Sequence, residues 1–552
     1  MYMDIKVSSL IVRYLERLGT EYVFGIPGAH ILPVYNALYD SRIKPILAKH
    51  EQGASFMAGG YARQSGKIGV CIATAGPGAT NLVTGLANAY MDRLPVLAIT
   101  GETPTYSFGK GALQESTGEG SCINQFDLFR GITKYNVIVQ RTDYILNILR
   151  NVTGILTSGN PGPVLLSFPY NVLKEKVDEE LLDHVNFSNP LMKTGEDVVP
   201  LDEIFSMLRT ASHPVVLAGY GSVLSKAEDA IARFCVKANI PVATSLKARG
   251  IIPETSALSL GVLGITSGES AFRYISDKAD VIVISGASFG ERTSYNWNTE
   301  LLKGKKIIQI DSNEMQLNKV FTADFAVRCD VKRFFGMLNT RLEKEPVGPK
   351  DMRDAADYKT IYSNHIVKDN EFLLVSRFLS HLNKHFDGDV LIFDDNIIYM
   401  QRFCQISKSR SYFPNSGLSS LGHAVPAAIG AKLASEKPVI ALLGDGGFQM
   451  CCMEIMTAVN YAIPVTVVVL NNSSLGLVRK NQFYNYDGRF IASDFINPDY
   501  RKLADSFGIS YFRIAAECDA EDVFTKVDVR NNINLIELIL KKDEFPHYSS
   551  GR

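Results

Sequence analysis

Neither sign of charge dominates this chain of 552 residues: 57 Lys and Arg stand against 58 Asp and Glu. That balance removes any electrostatic reason to expect nucleic acid or an anionic membrane surface as a partner. Long apolar runs are missing too. The longest, such as VTVVVL at 465–470, have the length of a strand and fall far short of a membrane span. The opening residues, MYMDIKVSSLIVRYLERLG, lack a basic n-region, an apolar h-region and a small-residue cleavage site, so no signal peptide is expected and the cytoplasm is the expected compartment. No CxxC occurs among the eight cysteines, and only Cys451 and Cys452 are adjacent, so reduced, mostly buried thiols are expected. Short-period repeats and low-complexity tracts are absent as well.

What is present has the balance of a globular protein, 46% hydrophobic and 21% charged, in a chain too long for one core. Short apolar runs alternate with segments of helical period throughout. Examples are GVCIAT at 69–74, PVVLAG at 214–219, KKIIQID at 305–311 and VIALLGD at 439–445. The pattern predicts an α/β fold of three doubly wound parallel-sheet domains. Two polar, proline-bearing stretches, 186–197 and about 343–370, read as linkers. They divide the chain into 1–185, 195–343 and 370–552.

The last third carries the sharpest chemistry. The run VIALLG ends in Gly444-Asp445-Gly446-Gly447, and VTVVVL ends in Asn471-Asn472. In an open parallel sheet, ligands sit at the carboxyl ends of strands, so Asp445 and Asn472 are expected side by side at one crevice. Both offer hard oxygens suited to Mg²⁺, which commonly shares its coordination sphere with phosphates. Gly446 and Gly447 let the backbone approach closely at a helix start, where an anion is favoured. A Mg²⁺-diphosphate site follows.

GDG and NN at this spacing resemble the binding signature of thiamine diphosphate (ThDP) enzymes. The resemblance implies that Asp445, Asn472 and the Ser474 carbonyl hold the metal, with Gly446, Gly447, Leu475 and Asn396 along the cofactor. AKHEQGASFMAGGYARQSGKIGVCIATAGPGATN at 48–81 resembles the family's pyrimidine-binding domain. By that match Glu51 is the activating carboxyl group, and Gly76, Pro77, Gly78 and Asn81 border the aminopyrimidine. ThDP needs such a carboxyl because the cofactor's own imino nitrogen removes its C2 proton, and a carboxyl bonded to the pyrimidine favours that tautomer. NSGLSSLGHAVPAAIGA at 415–431 resembles the segment whose bulky residue, here Leu421, props the cofactor into its bent shape. The family divides this site between subunits, which implies a homodimer or homotetramer.

Over nearly its whole length the chain resembles acetolactate synthase (acetohydroxyacid synthase), for instance in YVFGIPGAHILPVYNAL at 22–38, NPGPVLLSFP at 160–169 and LNNSSLGLVR at 470–479. The resemblance implies decarboxylation of pyruvate and transfer of the two-carbon unit to a 2-keto acid or another carbonyl acceptor. Gln114 matches the glutamine near the reacting carbon, where an amide can donate to a developing alkoxide. Arg292 matches the arginine that meets the acceptor carboxylate. The acceptor pocket departs from the pattern: Leu113 replaces a bulky aromatic, Asn481 a tryptophan and Tyr170 a lysine. His30 follows Gly28 and Ala29 where synthases carry an apolar residue or lysine. A histidine in such a turn resembles benzaldehyde lyase, where it serves as an acid–base group. In the central domain, 219–223, 261–268 and 286–293 resemble stretches that wrap FAD, although Ser288 stands where an arginine is expected, and an empty or ADP-occupied site is the alternative.

A carboligase is therefore the leading expectation. A lyase or decarboxylase that releases an aldehyde, with His30 as proton donor, is the alternative. A cofactor-binding subunit without turnover is disfavoured by the presence of Glu51, Asp445 and Asn472 together. Oxidation through FAD is the weakest of the four.

Overall fold

The structure, a computed structural model, describes residues 4–187, 198–348, 350–367 and 372–545. Three six-stranded sheets dominate it, and every strand pair within them is parallel. Strands such as Gly69–Ala73 and Thr466–Asn471 are buried along almost their whole length. That explains why the sequence shows continuous apolar runs rather than alternation: helices cover both faces of each sheet.

The first sheet orders its strands Lys44–Leu47, Tyr22–Gly25, Gly69–Ala73, Val96–Glu102, Val164–Pro169, Tyr135–Ile138. The third runs Tyr412–Pro414, Leu391–Asp394, Val439–Gly444, Thr466–Asn471, Asn534–Ile539, Ser510–Ile514. Counted along the chain within each sheet, both read 2-1-3-4-6-5, whereas the central sheet from Pro214 to Arg328 reads 3-2-1-4-5-6. In the outer sheets the order reverses between strands one and three, and a crevice for a ligand opens at such a switch point.

The first and third sheets share one continuous apolar core, while the central sheet packs its own two. The seam is a helix pair, Glu51–Ser65 against Ala424–Lys432, each buried along almost its whole length. Glycines make the contact possible. A Cβ on Gly60 would lie 2.0 Å from the Ala427 carbonyl oxygen, and one on Gly430 would lie 2.0 Å from that of Met57. Beside the seam, Glu454 accepts hydrogen bonds from the backbone N–H groups of Lys49 (3.1 Å) and His50 (3.0 Å) and from the Thr457 hydroxyl (2.8 Å).

Two expectations change. The stretch near 343–370 is no plain linker: it includes the helix Arg353–Val367. Tyr358 packs edge-on against Tyr274 of the central unit, and Lys359 donates to the carbonyls of Glu254 and Ser256, which gives this charged segment an anchor. The other expected linker lies mostly outside the described residues. The helix expected after Gly447 breaks into Asp445–Gln449, a 3₁₀ turn at Cys452–Glu454 and Ile455–Asn460. The break turns Glu454 toward Lys49 and His50. The eight cysteines are free thiols, five of them buried.

Candidate active site

At the switch point of the third sheet, one cavity of about 210 Å³ is lined by Asn396, Leu421, Asp445, Gly446, Asn472 and Ser474, and also by Gly447 and Leu475. The register explains the meeting: Gly444 lies opposite Leu470, so Asp445 emerges level with Asn471 and Asn472 follows one residue on. Asp445 accepts from the N–H groups of Gly446 (3.0 Å) and Ser473 (2.6 Å) and from the Asn497 amide (2.8 Å). Burial still holds its carboxyl above the usual range, as expected of an anion set where a cation would be favourable. Asn472 accepts from the Ser474 N–H at 3.2 Å, and the Ser474 hydroxyl is buried without a partner. A Cβ on Gly446 would come within 2.6 Å of Leu475, so only glycine leaves this wall open.

Asp395 shapes the same cavity. It accepts from the N–H groups of Gly422 and Ala424, both at 2.7 Å, and so clamps the loop that presents Leu421. Its neighbour Asp394 accepts from the Tyr412 hydroxyl and the Ile397 N–H, fixing the turn in which Asn396 adopts a left-handed φ of 65°. Burial pushes both carboxyls up to about 7.

The first sheet gathers a second cluster at the equivalent place. Glu51 is buried at the start of its helix, where a carboxylate suits the dipole, and it accepts from the Asn81 amide at 2.9 Å. A Cβ on Gly78 would sit 3.5 Å from the Glu51 carboxylate and 2.9 Å from Thr74, and one on Gly28 would strike Thr74 at 2.6 Å. The Thr74 hydroxyl is buried with no partner. Gly76 caps the short helix Pro77–Thr80 with φ 59°, and a Cβ there would lie 3.0 Å from the Gln114 side chain. Gln114 itself has φ 60°, a costly conformation for this residue type that clusters at functional sites. Its amide oxygen lies 3.3 Å from His30 Nδ1. An amide oxygen only accepts, so this contact is a hydrogen bond when Nδ1 carries a hydrogen. Ala29 is exposed beside the buried His30, and Leu113 is strongly exposed.

Arg292 joins the third-sheet cluster by donating to Asn396 at 2.7 Å. Asn481 is exposed on the helix Gly476–Asn485 and does not line the cavity. No residue of the first-sheet cluster lines it either. The two halves stay apart within one chain. In the central unit, Gly219 and Gly221 close backbone to backbone on Gly286, with would-be Cβ contacts of 2.2 and 2.7 Å.

Models of thiamine pyrophosphate enzymes match three parts of the chain: the N-terminal TPP binding domain at 5–121, the central domain at 201–338 and the C-terminal TPP binding domain at 396–537. The chain is 33% identical to a probable acetolactate synthase large subunit of Methanocaldococcus jannaschii, over 98% of its own length and 93% of the relative's. It is 32% identical to the acetolactate synthase large subunit of Lactococcus lactis, covering 97% and 93%. Acetolactate synthase isozyme 1 large subunit of Escherichia coli is 30% identical, covering 97% and 94%. The chain belongs to the thiamine pyrophosphate enzyme family. It is a ThDP-dependent enzyme similar to acetolactate synthase large subunits from end to end. Among the described residues, no helix is long and apolar enough to cross a membrane.

Within this thiamine pyrophosphate enzyme, sequence reasoning passed over Asp395, Glu454, Thr74 and Asn497. Asp395 follows the run LIFD at a strand's carboxyl end, so the rule that found Asp445 could have found it too. Asn497 reaches Asp445 across 52 residues of sequence, and no local signal marks it.

Proposed function

We propose that this enzyme is a Mg²⁺- and ThDP-dependent carboligase that decarboxylates pyruvate and transfers the two-carbon unit to a 2-keto acid or another carbonyl acceptor. The observation that carries the reading is the pair of half-sites at matching switch points, one presenting Glu51 and Gln114, the other Asp445 and Asn472. A second copy of the chain would complete the site by setting its first-sheet cluster against this chain's cavity, so a homodimer is the smallest active form.

The donor set fits the cofactor. Asp445, Asn472 and the Ser474 carbonyl would offer three oxygens to Mg²⁺, which commonly shares its remaining positions with phosphates. The unpartnered Ser474 and Thr74 hydroxyls and the glycine-walled cavity suit a polar, phosphorylated guest. When bound, ThDP supplies a carbon nucleophile and then takes up the electron pair that CO₂ leaves behind.

The chain's own residues do the rest. Glu51, steadied by Asn81, would hydrogen-bond the pyrimidine of bound ThDP and favour its imino form. Leu421, on the loop that Asp395 clamps, would pack against the bound cofactor. With its carbonyl turned to His30, the Gln114 amide directs N–H donors at the oxygen that becomes negative. Arg292 meets a keto-acid carboxylate beside Asn396. His30 Nε2 is placed to take or return a proton, the feature an aldehyde-releasing lyase would share.

The central stretches fit a flavin dinucleotide poorly: their glycines already touch one another and Ser288 brings no cation. We leave FAD out of the reaction, and a flavin absorption spectrum from the purified protein would reverse that. The reaction itself is tested with ThDP, Mg²⁺ and pyruvate as the sole substrate, assaying acetolactate and acetaldehyde. Acetolactate supports carboligation onto pyruvate. Mainly acetaldehyde would keep the donor and overturn pyruvate as acceptor, and no pyruvate consumption with ThDP bound would overturn the donor.

A further inference from the structure

Glu102 ends the strand Val96–Glu102 with no exposed surface, and the reaction proposed above gives it no part. Among the described residues no lysine or arginine pairs with it. Neutral donors hold its carboxylate instead. Oε1 accepts from the Thr103 N–H at 2.8 Å and the Ser116 N–H at 3.2 Å, and Oε2 accepts from the Ser116 hydroxyl at 2.5 Å. Burial raises the carboxyl above its usual range, the cost of setting an acid here without a cation. An apolar side chain of similar volume would avoid that cost, so the use of Glu102 lies in what it holds.

What it holds is the loop that carries Gln114. Ser116, fully buried, stands two residues on from Gln114, and its carbonyl accepts the Gln125 N–H at 2.9 Å. The Ser116 hydroxyl also lies 3.0 Å from Gln125 Oε1, and the Gln125 amide nitrogen donates to the Thr100 hydroxyl at 3.1 Å. Thr100 and Glu102 are two apart on one strand and so share a face, which makes the sheet the anchor for both ends of this network. The opposite face bears His30: a Cβ on Gly101 would lie 2.6 Å from the His30 carbonyl. Glu115, the residue after Gln114, accepts from the N–H groups of Gly109 (2.5 Å) and Ala112 (3.0 Å) and folds the preceding chain back on itself. Gln114 sits beside these two clamps at φ 60° and meets His30 Nδ1 at 3.3 Å. Such a conformation persists only where the surroundings over-determine it.

We infer that Glu102 is a positioning residue for Gln114: its carboxyl pins Ser116 to the sheet and so holds the left-handed turn that aims the Gln114 amide beside His30. What the amide then does rests on the reaction proposed above; the turn that holds it does not. A glutamine at this position keeps the pattern. Its oxygen accepts the same two N–H groups, its NH₂ donates to the Ser116 oxygen, and the Ser116 hydrogen passes to Gln125. An alanine leaves the Ser116 N–H buried without an acceptor.

The test uses the full chain loaded with ThDP and Mg²⁺. Glu102→Ala should lower kcat for acetolactate formation from pyruvate by about tenfold or more, with the ThDP concentration for half-activity unchanged, and Glu102→Gln should stay within about threefold of the parent. In a Gln114→Ala background, Glu102→Ala should cost no more than roughly a further twofold, because the amide it positions is already gone. Hydrogen–deuterium exchange reads the turn without turnover. Amides of 112–118 should exchange about tenfold faster in Glu102→Ala and at the parent rate in Glu102→Gln. Should Glu102→Ala fail to fold, Ser116→Ala removes the hydroxyl from the same contact and takes its place in both readouts. Unchanged exchange in the alanine variant, or an undiminished loss on top of Gln114→Ala, would overturn the positioning role. Glu102→Gln as damaged as Glu102→Ala would overturn the hydrogen-bond account of it. A parent protein that forms no acetolactate would overturn the proposed reaction instead, and the exchange rates would then decide the role of Glu102 by themselves.

Discussion

The first and third sheets thread their strands in the same order, yet the loops at their switch points carry different residues. After strand three the first sheet continues Thr74-Ala75-Gly76-Pro77-Gly78, while the third continues Asp445-Gly446-Gly447. After strand four the first leads toward Gln114, the third to Asn472 and Ser474. On the function proposed above, one scaffold offers a proton-handling face in its first copy and a cation-and-phosphate face in its third. Fold sets where the groups emerge, and loop residues set what they do.

Exchange of function between the two faces gives the largest test. Glu51→Gln should cut kcat by about 10²- to 10⁴-fold, the range of a positioned acid–base group, while ThDP affinity and melting temperature hold. Asp445→Ala should instead raise the ThDP and Mg²⁺ concentrations needed for half-activity, with kcat recovering at saturation. If both variants lost the same parameter, the division of labour between the sheets would be wrong.

The seam between the sheets comes next. Gly60→Val drives a side chain into the Ala427 carbonyl and should cost about 1–3 kcal/mol or more, read as a lower melting temperature. Gly66→Ala, with nothing within 4 Å of its added Cβ, should cost less despite its left-handed φ of 70°. Equal losses would mean that close packing of the seam matters no more than a helix end.

The smallest effect sharpens the comparison through pH. Asp394 and Asp395 are held near 7 by burial, above their unfolded values, so the folded protein keeps protons that the unfolded chain releases. Stability from these groups is therefore present below the ordinary aspartate pKa and is lost as pH rises through about 7. The adjacent pair titrates as a unit. His423, held neutral by burial with its pKa lowered to about 3, works in the opposite direction below its ordinary value, so the difference between variants is what matters. Asp395→Asn should flatten the fall in melting temperature between roughly pH 4 and 7, by an amount on the order of 1 kcal/mol. An unchanged slope would acquit the pair.

Much of this was readable from residues. Continuous apolar runs located strands such as 439–444 and 466–471, because strands buried on both faces have no polar side to show. The residues at their carboxyl ends located Asp445 and Asn472. Less readable was anything that one unit does for another. Glu454 looks like an ordinary helical glutamate until the chain places it over Lys49 and His50. The helix Arg353–Val367 reads as a linker because its anchors, Tyr274 and the carbonyls of Glu254 and Ser256, belong to other segments. The separation of the two half-sites depends on three-dimensional placement that no local pattern encodes.

The glycine seam also bears on how the chain is born. The helix Glu51–Ser65 leaves the ribosome early, but the surface that buries it, Ala424–Lys432, is made roughly 370 residues later. At about 5–20 residues per second, that wait lasts on the order of 20–70 seconds. Throughout it, a helix with almost no polar side must be sheltered by the nascent first sheet, by a chaperone or by a finished chain nearby. The same contact that joins the sheets in the native enzyme is thus an unmet need during synthesis.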